Sequence, residues 1–182
     1  NKMTMDFKEE GDVIYLLGRI NSDINASQYL GKICGVEYSP APHFELEEEY
    51  QLQQKIMELI YGKRIRSAHD VSEGGLFVTL CESGFPRELG FHIKTNTSIR
   101  KDACLFGEGQ SRVVVSVKPD SIHAFEQAVG NFPFERIGFV TRDEIQVDDE
   151  FWGSIHSWKQ KYETSIENFL SREEAGAALS TI

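Results

Sequence analysis

The chain has 182 residues, 40% of them hydrophobic and 26% charged, which is enough for one domain with a proper core; a second would have to be small. Nineteen Lys and Arg stand against 29 Asp and Glu, a formal charge of −10, which argues against a general nucleic-acid binder because phosphate contacts require a basic face. No apolar run approaches the ~20 residues of a membrane span, and Asn1-Lys2-Met3-Thr4-Met5 lacks the apolar stretch of a secretory leader, so a cytoplasmic protein away from membranes is expected.

Residues 1–10 read as a linker or remnant, and Asn1 in place of an initiator Met suggests a fragment or a processed chain. Val13–Leu17 is apolar enough for a buried strand, ended by Gly18. A polar loop over 19–25 leads into a short helix predicted over 26–33 and closed by Gly35. Ser39-Pro40-Ala41-Pro42 is a stiff connector, since the residue before each proline is pushed extended. Leu46–Tyr61 is the clearest helix: Leu52, Ile56, Leu59 and Ile60 recur at helical spacing, Glu47 to Glu49 favour its first turn, and Gly62 stops it.

A short strand over 65–68 precedes a tight turn and a helix over 74–82. Residues 90–93, 113–117 and 136–140 read as strands. Ile122, Phe125, Ala128 and Val129 mark a helix, and 152–170 a final amphipathic one, with 171–182 as a tail. Cys34, Cys81 and Cys104 are odd in number and lack metal spacing, so they read as reduced thiols, at least two of them buried. There is no internal repeat, low-complexity linker or doubly wound glycine fingerprint. The expectation is an α/β or α+β two-layer domain over 11–170, a mixed sheet packed by helices.

Two stretches carry chemistry. In His69-Asp70-Val71-Ser72-Glu73-Gly74-Gly75-Leu76, Asp70 can cap a new helix and Glu73 can reach back to the cap's N–H. Gly74 and Gly75 let a backbone or ligand approach closely, and a helix N-terminus suits phosphate. A well-capped helix packed on a strand explains the same pattern. In Leu105-Phe106-Gly107-Glu108-Gly109-Gln110-Ser111-Arg112, Arg112 could clamp a phosphate or carboxylate and Ser111 could add a hydroxyl. From the residues alone, a turn whose polar side chains meet water is the simpler reading of that one. His69 has no nucleophile motif around it and reads as structural or ligand-orienting before it reads as a base. His43, His92, His123 and His156 show no zinc pattern, and no metal site is expected.

The first stretch resembles the signature of the C-terminal domain shared by the aminoimidazole ribonucleotide synthetase superfamily, in the form carried by phosphoribosylformylglycinamidine synthases. The second is similar to the Leu-Phe-(Gly/Ser)-Glu-x-Gln-Ser-Arg segment of the same branch. Residues 11–18 and 158–170 resemble its opening strand and closing helix, so the resemblance covers roughly 11–170. One departure is Asn25-Ala26-Ser27-Gln28-Tyr29-Leu30, where relatives often carry Gly-Gly-Ser-Glu-Tyr-Leu; that puts close ligand approach at this loop in doubt.

The resemblance implies part of an ATP-dependent amidotransferase of purine synthesis. In such enzymes formylglycinamide ribonucleotide is phosphorylated on its amide oxygen, and ammonia from glutamine displaces phosphate to give the amidine. ATP and magnesium would be held mainly by preceding domains, and the fragment alone would be inactive. Its partners would be those ATP-binding domains, a glutaminase domain or subunit, and the small ribonucleotide, with self-association of the isolated piece. His69, Asp70, Ser72, Glu73, Gly74 and Gly75, with Glu108, Gln110, Ser111 and Arg112, would line the cleft shared with the ATP-binding domain; no catalytic residue is assigned here. An apolar docking face is expected near Gly74-Gly75 and Leu105-Phe106. The alternatives are a domain of another synthetase or kinase of the superfamily, or a non-catalytic interaction module that keeps the fold.

Overall fold

A strand with no charged residue and apolar side chains on both faces needs cover on both, and β1 (Val13–Leu17) is buried at every position. In the computed structural model, which describes residues 2–167, 169 and 170, that cover comes from a seven-stranded sheet with helices on each side. The strands β2 (Ser67–Asp70), β3 (Gly90–Ile93), β4 (Val113–Val117), β5 (Phe134–Thr141), β6 (Glu144–Val147) and β7 (Glu150–Ser154) join β1 in the order β2-β4-β1-β5-β3-β6-β7. Among the described residues only the β3–β6 pair is parallel. The helices are α1 (Leu46–Tyr61), α2 (Gly75–Gly84), α3 (Lys101–Phe106), α4 (Ile122–Val129) and α5 (Ile155–Glu163).

Alternation along β1 divides the core in two. Ile14 and Leu16 face Leu76, Phe77 and Leu80 of α2, Leu105 of α3 and Ile155 of α5. Val13, Tyr15 and Leu17 face Leu52 and Leu59 of α1 and Phe125 and Val129 of α4. The mixed sheet packed by helices is the expected architecture, but the helices cover both faces, which makes three layers where two were expected. At α1, Glu47, Glu48 and Glu49 stand in the first turn and the Gly62 N–H closes the last, as the sequence suggests.

Several local expectations change. The segment taken for a linker is part of the fold. Phe7 is fully buried, its N–H donates to the Ser83 carbonyl, Ala68 N–H donates to Thr4 O, and Asp6 pairs with Arg87. Over 26–33 the chain forms a five-residue π-helix, Tyr29–Ile33, that buries no side chain. The helix expected from 152 begins at Ile155 instead. Trp152 belongs to β7, its ring 5.0 Å from that of Phe77, and Ser154 caps α5 by accepting from Ser157 N–H. Strands β6 and β7 and the six-residue α3 did not stand out in the sequence, being too short to establish a period. The tail over 171–182 lies outside the described residues.

Candidate functional site

Antiparallel pairing of β2 with β4 brings the two sequence motifs together. Asp70, at the end of β2, sits opposite Val113, at the start of β4, and the Val71 N–H donates to the Arg112 carbonyl. The turn over 71–75 therefore lies against the loop over 105–112. Gly75 has φ +71°, and a Cβ there would stand 2.8 Å from the carbonyl oxygens of Gly107 and Leu105. The second glycine thus serves protein packing, with backbone as its close neighbour.

The start of α2 is not capped as the spacing suggested. The capping position is Gly74, left-handed at φ +83°, with no side-chain cap; Asp70 is still in the strand, and the Asp70–Glu73 capping box does not form. The Gly74 N–H instead donates to Glu108 Oε1 at 2.9 Å, and the same oxygen accepts from the Gln28 N–H at 2.8 Å. One carboxylate thereby ties together the start of α2, the 105–112 loop and the 19–28 loop, placing negative charge where the helix dipole favours it.

Arg112 is 2% exposed, its Nε donating to the Gly109 carbonyl and one terminal nitrogen to that of Gly107. The bidentate clamp expected of it is therefore turned onto its own loop, flanking Glu108. Burial pulls its guanidinium below the usual arginine range, opposed by the Cys104 thiol and the Asp23 carboxylate. Ser111 adopts φ +60° and donates to Glu49 of α1 at 2.8 Å. It borders a cavity of about 260 Å³ between Gly18, Arg19, Glu48 and Asn131.

His69 points to the body of α2, with Nδ1 3.3 Å from Ser83 Oγ and Nε2 3.5 Å from Glu82. Ser83 is fully buried and donates to the Thr79 carbonyl, so this contact is structural and offers no nucleophile to a substrate. Asp70, Ser72, Glu73 and Gln110 are exposed around the turn. Together they form a polar rim that can hydrogen-bond a small molecule without supplying a nucleophile–base pair.

Residues 9–149 match the family model described as the AIR synthase related protein, C-terminal domain. The chain belongs to that family. Its relatives include the phosphoribosylformylglycinamidine synthase subunit PurL of Alkaliphilus metalliredigens, 40% identical over 146 residues, covering 79% of this chain and 20% of that protein. PurL of Caldanaerobacter subterraneus subsp. tengcongensis is 39% identical over 151 residues, covering 80% and 20%. The chain thus spans about a fifth of the length of these relatives. Among solved structures, Thermotoga maritima PurL complexed with FGAR superposes with a TM-score of 0.70 at 14% identity, over 84% of this chain and 28% of that one. The hydrogenase maturation protein HypE in complex with ATP gives 0.54 at 16% identity, over 80% and 49%. Both likenesses show the fold.

In this AIR synthase C-terminal domain the sequence also left part of the site unread. Asn21, Asp23 and Gln28 organise the 19–28 loop: Asn21 Oδ1 accepts from Asp23 N–H, and the Asp23 carboxylate accepts from the N–H groups of Asn25 and His43. The alternation Asn21-Ser22-Asp23-Ile24-Asn25 was a usable signal, since such side chains bond backbone two residues on. The apolar face also lies elsewhere than expected. Leu105 is buried, and Phe106 is partly covered by the stacked ring of Tyr29 at 5.0 Å. The exposed large side chains include Ile33, Val36, Tyr38, Phe44, Leu46, Tyr50, Met57 and Tyr61, on the 33–61 stretch. Among the described residues no group of His, Cys, Asp and Glu could hold a metal ion, and no helix is long and apolar enough to cross a membrane.

Proposed function

We propose that this chain is the C-terminal domain of the synthetase portion of a cytoplasmic phosphoribosylformylglycinamidine synthase, a ligase converting formylglycinamide ribonucleotide to its amidine with ATP, magnesium and glutamine-derived ammonia. The observation that carries the reading is the 40% identity over 146 residues to a PurL subunit. The pairing of Asp70 with Val113, which joins the two family motifs at one end of the sheet, supports it. In this reading Asp70, Ser72, Glu73 and Gln110 form the exposed lip of the shared cleft. His69, Gly74, Gly75, Glu108, Ser111 and Arg112 set its shape from behind. ATP and magnesium belong mainly to the rest of the enzyme, as do the catalytic residues. The partners are that ATP-binding portion, a glutaminase and the ribonucleotide; a solved Thermotoga maritima assembly titled PurLQS supports a multi-subunit setting.

The test is a graft: residues 9–149 replace the corresponding segment of the Alkaliphilus PurL subunit, and ammonia-dependent, ATP-driven amidination of formylglycinamide ribonucleotide is measured. Turnover within about tenfold of the parent is expected, since a misplaced supporting group commonly costs ~10²-fold. A folded graft that is inactive on this substrate, or active on the substrate of another superfamily synthetase, would overturn the assignment.

A further inference from the structure

We infer that Glu108 is a positioning residue, whose carboxylate latches the 19–28 loop onto the start of α2 and so holds the cleft-side surface in one arrangement. The inference rests on the function proposed above. Glu108 Oε1 is the acceptor for both Gly74 N–H and Gln28 N–H, which lie on segments far apart in sequence. The loop that presents it is held on both sides, because the buried Arg112 guanidinium binds the carbonyls of Gly107 and Gly109. On the other side of the latch, the ring of Tyr29, next to Gln28, stacks on that of Phe106 at 5.0 Å. The far part of the 19–28 loop is fastened by Asp23 to His43, so Glu108 and Tyr29 fasten its near end. Without the carboxylate, Gly74 N–H and Gln28 N–H lose their shared acceptor, and the near end of the loop is left to the Tyr29–Phe106 stack, so it leaves the α2 turn more often.

Glu108 acts through this loop and not on reacting atoms, so its loss should lower the fraction of enzyme ready to bind. Apparent affinity scales with that fraction, so a competent fraction of about one tenth raises KM about tenfold and leaves kcat nearly unchanged. The experiment compares E108A and E108Q in the graft, together with backbone amide exchange in the 182-residue chain. E108A should raise KM for formylglycinamide ribonucleotide about tenfold and speed exchange at Gly74 and Gln28. E108Q keeps a carbonyl oxygen as acceptor and should restore most of both. Equal impairment of E108Q and E108A, or a fall in kcat at constant KM, would overturn the positioning role. An inactive graft with native Glu108 counts against the proposed function alone. Exchange then decides the latch: unchanged rates at Gln28 and Gly74 in E108A overturn it, and selective acceleration restored by E108Q supports it.

Discussion

At the scale of single residues, two positions singled out by the sequence serve the protein's own backbone. Gly75 and Gly11 both have positive φ, but a Cβ at Gly11 meets nothing within 4 Å, whereas at Gly75 it meets three backbone atoms at 2.8 Å. Gly11→Ala should therefore cost only the conformational strain, about 1 kcal/mol, and Gly75→Ala about 2–5 kcal/mol, because strain and overpacking add. Urea unfolding of both variants checks this; equal losses would mean the turn relaxes away from Gly107. Arg112 leads to a similar reversal. A ligand-clamping arginine could be removed without harm to the fold, but this one satisfies the carbonyls of Gly107 and Gly109 inside the protein. Arg112→Met should lose about 2–4 kcal/mol of stability by stranding them. A variant with unchanged urea midpoint would return Arg112 to a surface or ligand role.

Among the elements, the N-terminal segment and the β6–β7 turn show how short pieces of chain are tied down. Phe7 is as buried as any core residue, so Phe7→Ala should cost about 3–5 kcal/mol, read from the same denaturation curves. A loss under about 1 kcal/mol would mean that residues 2–8 are an appendage after all. At the β6–β7 turn, burial works to raise the Asp148 carboxyl, but the N–H and hydroxyl of Thr95 and the Lys101 ammonium carry it below the usual carboxylate range. A depressed folded pKa contributes stability above the unfolded value of about 4, and that contribution is lost as pH falls through it toward the folded value. The stability of Asp148→Asn should therefore fall less steeply with acid below about pH 4 than that of the native chain. Parallel curves for the two proteins would show that the turn does not depend on this charge.

For the whole molecule, the large apolar side chains left exposed among the described residues gather mainly on two stretches, one over 33–61, including the outer side of α1, and a smaller one over 162–170. Patches of this kind are uncommon on proteins that act alone. The isolated 182-residue chain should self-associate as its concentration rises, seen by light scattering. Tyr38→Ser combined with Leu46→Lys should restore the monomer. A native chain that stays monomeric throughout would show that this surface needs no cover.

The sequence by itself determined those parts of the fold whose signals are local. Five consecutive apolar residues made β1, helical spacing with Gly62 as a stop made α1, and short valine-rich or alternating runs made β4 and β3. It also determined the family, because two motifs carry unusual residue types in a fixed order. Strand pairing decided the rest. That His69–Leu76 and Leu105–Arg112 lie side by side follows from the β2–β4 register, which no local pattern encodes. Glu108 became the acceptor at the start of α2 only because a third segment, over 19–28, was folded onto the same place. Asp70 and Glu73 lost the capping role their spacing offered because β2 runs on through Asp70 and the left-handed Gly74 starts the helix four residues later. Arg112 was drawn inward because buried carbonyls at Gly107 and Gly109 need donors, and a guanidinium at the end of the same loop, where β4 begins, was within reach.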